Sequence, residues 1–514
     1  MLAGLRWRSW FKQSALLLAL TLLAVLVHGY HLGLEDQAIY LPAIKKNLNP
    51  ALYPQGAEFF LAQTRATIFG ELVAVSVRVT HLPLDIVIFL WQVCAIFLIL
   101  WACLRLSRKL FRASWAQWSG VVMAAVMLTL PVTGTGLYIV DQYLHPRALA
   151  TALLLFMLGE VFLPPSGDRK FLRAACWIIP AALLHVQMAS YGALLAVFFL
   201  LPGRWFAGKF NFKGQEQGAI ASLLLPIFSL MRRPSAAWLE AARTRHIHYL
   251  LQWRWYEWLG IFAPLALLAW FSKLESCPGG ENPGDPQLSD VCRRLVGFGA
   301  FIFLVAAMVT MPPGFERLTP FQPMRGYHLL YVFFVLIVGG LAGQFILQRH
   351  SWRWLVLYVP LSLAMFYVQR QLLPSSPHIE LPGAAPRNPW LKAFAWIKNT
   401  QNTPIDAYFA LDPHYLELPQ EDEHGFRALG ERSMMADYVK DSGVVLLFPP
   451  LADEWQREVR ARDGWERFQA GDFRRLRDTF GVTWVVLEDS NAALAASELT
   501  CPYKNELVRV CRID

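Results

Sequence analysis

Long apolar runs separated by short charged loops fill most of the chain, and the pattern changes after residue 373. The runs fall at residues 14–30, 84–104, 119–138, 148–163, 218–230, 258–271, 295–311, 327–347 and 354–367. A helix crossing a bilayer needs about 20 predominantly apolar residues, so these read as membrane spans. Between them, residues 174–201 are apolar throughout except for His185-Val186-Gln187-Met188. That stretch is too long for one span and short for two, which predicts two short helices meeting at His185 and Gln187, as a hydrated cavity permits. The expected total is about eleven spans. Residues 31–83 form a long loop after the first span, with helices expected over 37–48 and 57–79.

Beyond the last span, Pro374, Pro377, Pro382, Pro386 and Pro389 punctuate a linker over 374–389. Residues 390–514 then read as an α/β unit. Helices are expected at 390–398, 452–468 and 473–480, and strands at 405–411, 444–448, 483–487 and 507–512. The unit has no Gly-rich phosphate loop. The fold class is therefore an α-helical polytopic membrane protein, residues 1–373, followed by a C-terminal α/β domain.

Charge orients the spans. Arg6, Arg8 and Lys12 precede the first run; Arg105-Leu106-Ser107-Arg108-Lys109, Asp168-Arg169-Lys170, Lys209 and Lys213 mark later inside loops. The first run is too long for a signal peptide and lacks a small-residue cleavage site, so it reads as a retained span. The N-terminus is placed in the cytoplasm and, with an odd number of spans, the C-terminal domain outside it, in a multi-pass protein of the plasma (inner) membrane. The loop 232–254 departs from the rule: it is basic yet falls on the outer side.

Composition agrees with this class. The chain is 55% hydrophobic and 17% charged, against about 25% charged in ordinary soluble domains. Its net charge of +9 follows from the inside loops, and no basic patch interleaved with aromatics points to nucleic acid. Of seven cysteines, Cys94, Cys103 and Cys176 lie in apolar runs as small core residues, and there is no CxxC metal spacing. Cys501 and Cys511, placed outside, are able to form a disulfide; Cys277 and Cys292, placed in the cytoplasm, are expected to be reduced.

Chemistry concentrates in the outer loops. Glu35-Asp36 stands where the chain leaves the first span. It reads either as a base or metal-supporting carboxylate acting on a hydroxyl, or as a solvated cap at a helix start. Neighbouring residues point about 100° apart on a helix, so the two acids do not readily act on one atom. The second outer loop packs Asp141, Gln142, Tyr143, His145 and Arg147 into seven residues. Here His145 offers a metal ligand or a sugar hydrogen bond and Arg147 a phosphate contact; a polar membrane-edge turn is the plainer account. Arg317 and Arg325 flank a Pro-rich run into the next span and suit a lipid phosphate, which guanidinium binds in a bidentate manner. Arg243, Arg245, His246 and His248 form a further cluster, most simply on an interfacial helix.

This organisation resembles the GT-C-type membrane glycosyltransferases, which use polyprenyl-phosphate-linked sugars. The resemblance rests on Glu35-Asp36 after the first span, the helical loop before the second, the shortened spans near His185 and the α/β domain that closes the chain. It implies Asp36, and after it Glu35, as the catalytic acid, and Arg325 and Arg147 as holders of the donor phosphate. His145, Asp141, Arg317, His185 and Gln187 join them as substrate-binding positions. The implied partners are the bilayer, a polyprenyl-phosphate sugar donor and a lipid or polysaccharide acceptor of the cell envelope. The family's acid-x-acid or double-Asp pattern is replaced by Glu35-Asp36-Gln37, which leaves a divalent metal open, and no other cofactor is implied. A transporter or flippase of lipid-linked or polar substrates, or a non-catalytic scaffold of the same architecture in envelope polysaccharide assembly, are the alternatives.

Overall fold

The computed structural model describes residues 2–162, 170–202, 234–274, 286–311, 314–491 and 499–513. Helix α1 (Leu2–His28) leads into the first loop, which carries α2 (Gln37–Leu48), α3 (Glu58–Thr64) and α4 (Phe69–Thr80). The bundle continues with α5 (Leu84–Leu110), α6 (Ser114–Val126), α7 (Pro146–Phe162), α8 (Lys170–Leu184) and α9 (Val186–Leu200). After a short helix α10 (Ala236–Arg243) come α11 (Trp255–Phe271), α12 (Pro286–Thr310), α13 (Tyr327–Ala342) and α14 (Ser351–Leu372).

Five stretches are long and apolar enough to cross a membrane: Phe11–His28, Leu84–Leu110, Gln287–Thr310, Glu316–Leu347 and Ser351–Leu372. Helices α3 and α4, bent by 94° at their junction, make a sixth if taken together. The expected count of about eleven is not reached among the described residues. Phe171–Leu184, Val186–Leu200 and Trp255–Phe271 are apolar but shorter, and the run 218–230 lies outside the described residues. The run 119–138 is helical only to Val126. Pro131 opens a hairpin, β1 (Pro131–Val132) against β2 (Leu137–Tyr138), closed through left-handed Gly134 and Gly136. The pair of short helices is present: His185 is extended and caps α9, its ring accepting the Met188 N–H at 3.4 Å. The expected helix 57–79 is split into α3 and α4.

The chain is a membrane protein by the evidence of its outer surface. On α14, Leu355, Val356 and Leu363 are 62–64% exposed, and Leu18, Leu22 and Leu26 of α1 and Leu304 and Met308 of α12 are similarly uncovered. Such a belt is intolerable in water and natural in lipid. Inside, small residues let helices close up: a Cβ on Gly339 of α13 would stand 2.4 Å from the Met123 Cβ of α6. Glu160, the acid closest to a span interior, is paired with Arg105 at 2.8 Å and Arg173 at 3.8 Å.

The C-terminal unit holds a five-stranded sheet. Its helices are α15 (Pro389–Lys398), α16 (Phe426–Gly430), α17 (Asp441–Leu447), α18 (Ala452–Arg460) and α19 (Ala470–Phe480). Its strands are β3 (Tyr408–Ala410), β4 (Ser433–Met434), β5 (Trp484–Glu488), β6 (Thr500–Lys504) and β7 (Val508–Arg512). They run in the order β4-β3-β5-β7-β6, with β3 parallel to β4 and β5 and the other pairs antiparallel. Side chains alternate across it. Phe409, Trp484 and Val486 pack with α15 and α16 on one face, and Tyr408, Val485 and Leu487 with α19 on the other. The expected strand 444–448 is instead part of helix α17. A short apolar run does not by itself distinguish strand from helix, and Asp441 in the first turn favours the helix. Cys501 and Cys511 form a disulfide between β6 and β7; Cys292 is buried and free, and Cys277 lies outside the described residues.

The first loop and α10 pack directly on this unit. Ile39, Ala43, Tyr53 and Phe60 surround Val444, while Trp238, Ala241 and Ala242 lie against Val445, Leu446 and Trp455. The expected interfacial helix around Arg243 is thus a docking helix. Its apolar face is covered by protein. Three sequence-distant segments are held together at one end of the bundle, and the candidate site lies among them.

Candidate functional site

The site begins with how the first loop is anchored. Gly33 takes φ +83°, and a Cβ there would stand 2.8 Å from the Leu429 side chain. Only glycine fits this approach of the loop to the C-terminal unit. The Gln37 side chain accepts the Gly33 N–H at 2.7 Å and donates to the Leu144 carbonyl at 3.0 Å, tying the first loop to the loop before α7. Between them Glu35 adopts a left-handed φ of +52°, a conformation uncommon for a non-glycine residue.

Asp36 lines a cavity of about 90 Å³ together with Tyr40, Gln63, Arg245, His248, Gln322, Arg325 and Lys440. Glu35 lines a separate cleft of about 490 Å³ with Thr133, Tyr138, Tyr256, Glu257 and Tyr331. Lys440, from the turn before α17, contacts the Glu35 carboxylate and lies 3.5 Å from that of Asp36. One ammonium therefore spans both acids at the wall between the two spaces.

His145 fixes the other side of Asp36. Its Nδ1 accepts the Arg147 backbone N–H at 3.0 Å, so its proton sits on Nε2, which faces Asp36 Oδ2 at 3.4 Å. Burial lowers the affinity of His145 for a second proton. Burial also opposes ionisation of Asp36, but the His145 hydrogen bond and the guanidinium groups of Arg147 and Arg325 outweigh it and hold the carboxyl below the usual range. The Asp36 side chain keeps 39% of its surface accessible. It is an ionised carboxylate that a ligand can reach.

The cations differ in how they are committed. Arg147 is bound to Asp141 at 2.6 Å, both being almost fully buried. Arg325 lines the cavity with its Nε buried and without a hydrogen-bond partner, as is the Nε of Arg245, whose Nη2 donates to the Val439 carbonyl. Burial pushes the Lys440 ammonium down to about 7, while the two carboxylates beside it favour its charged form. His248 is held neutral by burial and by the neighbouring Arg325 and Arg245, and its Nε2 meets the Gln322 amide at 2.6 Å. Two guanidinium groups with unused donors thus face one carboxylate across a small space, which is the composition of an anion site.

The structure brings Asp36, His145, Arg147, Asp141 and Arg325 into one cluster. His185 joins its edge, 5.8 Å from the His145 ring. Gln187 supports it differently, donating to the Phe321 carbonyl at 2.8 Å, and Tyr191 donates to the Gln322 carbonyl at 2.8 Å. These bonds hold the turn that presents Arg325. Arg317 is half-buried on the 3₁₀ turn Glu316–Phe321 and is not among the residues lining the cavity. Glu35 faces its own cleft. Sequence reasoning missed Lys440, which sits in the soluble unit with no motif around it, and gave Arg245 and His248 a surface role. The basic character of 232–254 on the predicted outer side was the one available signal.

No protein-family model matches the chain, and no curated protein matches it. Among solved structures, the arabinofuranosyltransferase AftD from mycobacteria aligns at 14% identity and a TM-score of 0.49, over 98% of this chain and 41% of that one. The chain thus spans less than half the length of that protein.

Proposed function

We propose that this chain is a membrane glycosyltransferase that moves a sugar from a polyprenyl-phosphate donor to an envelope acceptor at the outer membrane face. The observation that carries this reading is the placement of ionised Asp36 in one cavity with Arg245, Arg325 and Lys440. The arginines hold the donor phosphate. The acceptor presents its hydroxyl to Asp36, which His145 orients.

In the transfer, Asp36 takes the hydroxyl proton as the acceptor oxygen bonds to the anomeric carbon. The bond from that carbon to the phosphate oxygen breaks, and the polyprenyl phosphate leaves with the electron pair. The arginines stabilise the charge that develops on it, and a positioned donor set of this kind supplies much of the rate in such reactions. Arg147, engaged by Asp141, contributes its field rather than a contact. The 90 Å³ cavity is smaller than the roughly 300–1,000 Å³ of a pocket enclosing a whole small ligand. It suits the phosphate alone, with the lipid chain lying outside.

The test is undecaprenyl phosphate binding by the purified chain in detergent, followed by thermal unfolding with and without divalent metal. A ligand at 100 times its dissociation constant stabilises by about 2.7 kcal/mol. The expected result is a saturable shift that is lost in Arg325→Ala. With such binding established, polyprenyl-phosphate sugars are the donors to assay. A well-folded wild type with no shift at any concentration refutes the phosphate site and favours a transporter or scaffold.

A further inference from the structure

A second cluster of titratable side chains sits at the stem of the first loop, apart from the cavity of Asp36. His31, Glu380 and His424 come from the loop, the Pro-rich linker and the C-terminal unit, and one ligand-type atom from each lies within 4.8 Å of the others. Glu380 Oε1 stands 3.6 Å from His31 Nδ1 and 3.1 Å from His424 Nε2. Two nitrogens and an oxygen bound at about 2.0–2.1 Å in a tetrahedron lie about 3.3–3.4 Å apart, so the two distances bracket that edge.

The hydrogen bonding is incomplete in the way a missing ligand would leave it. The His31 and His424 side chains are 1% and 0% exposed. Even so, His31 Nδ1 and Glu380 Oε1 have no hydrogen-bond partner of adequate geometry. Buried polar atoms of this kind are rare in folded proteins and call for an explanation. The other carboxylate oxygen, Oε2, is engaged by the Leu32 N–H at 3.0 Å. This is the outer support that fixes a ligating carboxylate. Glu380 also lines a cavity of about 520 Å³ with Tyr30, Leu32 and Asp85, which brings solvent to the carboxylate's side of the cluster.

The backbone makes the cluster a junction. Glu380 N–H donates to the Tyr30 carbonyl at 2.8 Å, Gly425 N–H to Gly33 at 2.8 Å and Glu35 N–H to Glu423 at 3.0 Å. The loop stem is thus laced between linker and C-terminal unit, a few residues before Asp36. We propose that His31, Glu380 and His424 bind a divalent transition metal of the zinc class, which pins the stem of the catalytic loop to the C-terminal unit. Two imidazoles and one carboxylate suit that class.

The experiment uses the full chain in detergent, stripped with a chelator and titrated with Co(II) and then Zn(II). Bound metal is counted by mass spectrometry and the cobalt environment is read from its visible absorption. The expected result is one tightly held equivalent per chain, tetrahedral cobalt bands that zinc bleaches, and a raised unfolding temperature with zinc. Glu380→Gln and His424→Gln lose the equivalent, while Asp36→Asn keeps it, which separates this site from the carboxylates of the reaction. Should those two variants fail to fold, the wild-type cobalt spectrum decides alone. A stripped wild type that takes up no metal, or variants that bind it as well as wild type, overturns the proposal and leaves the cluster an imidazole–carboxylate ion pair.

Discussion

Replacing Arg147 by Met removes the partner of Asp141, whose side chain is only 4% exposed. Breaking a buried ion pair from one side costs about 3–5 kcal/mol, because the remaining charge has no compensation. Arg147→Met is therefore expected to unfold about 3–5 kcal/mol more easily than wild type. Arg325→Met is the contrast. Its guanidinium Nε has no partner and its attraction to Asp36 is opposed by Arg147, so the variant loses less stability than Arg147→Met without ligand and loses the shift induced by undecaprenyl phosphate.

The assay is denaturant unfolding of the detergent-solubilised chain at pH 7, followed by tryptophan fluorescence. Arg147→Met/Asp141→Leu supplies the control, since an apolar replacement of both partners restores most of the stability. Equal stability of Arg147→Met and wild type at pH 7 would refute the claim that the pair is internal. A loss in Arg325→Met as large as that in Arg147→Met would remove the distinction between the two arginines.

Asp36→Asn is expected to lower sugar transfer by about 10²–10⁴-fold, the range of a general base, with undecaprenyl phosphate binding retained; full activity in a donor-to-acceptor transfer assay sinks the assignment. Gly33→Ala forces a side chain into left-handed backbone against Leu429 and should cost about 1–2 kcal/mol from the backbone alone, seen as faster amide exchange at the loop stem. Unchanged exchange there would show that the stem is not under this constraint. Asp437 is raised from 3.8 to about 7 by burial and by Asp441. Its folded form therefore holds a proton that the unfolded chain releases, and stability falls as pH climbs from 3.8 through 7. Asp437→Asn still offers an acceptor to the Lys440 N–H and should flatten that slope; an unchanged slope in pH-dependent unfolding contradicts it.

The sequence showed the site in proportion to how local its parts are. Glu35-Asp36 and the loop Asp141 to Arg147 stood out because polar residues crowd where apolar runs end, and the break at His185 stood out for the same reason. Lys440 carries no such mark. It matters only because α17 packs Val444 against the first loop, a contact across about 400 residues that no local pattern encodes. Fewer long spans than expected are seen among the described residues where turn chemistry cuts an apolar run, as Pro131 and Gly134 do after α6. The strand expected at 444–448 failed because burial of Val444, Val445 and Leu446 is compatible with either geometry. Arg245 was hidden by a different effect: an amphipathic helix looks the same whether lipid or protein covers it.

The two adjacent acids illustrate what the fold adds. In a regular helix or strand, Glu35 and Asp36 would diverge without purpose. The fold instead places each in a different space and leaves a wall between them that Lys440 crosses. An ammonium there neutralises part of the charge of both carboxylates without occupying either cavity. It also ties their placement to the C-terminal unit, whose Arg427 binds Asp441 through two 2.8 Å contacts directly beside Lys440. In the proposed reaction, displacement of that unit withdraws Lys440 and leaves two neighbouring carboxylates to repel each other at the mouth of the anion site. Lys440 is thus the side chain through which the C-terminal unit reaches the anion site.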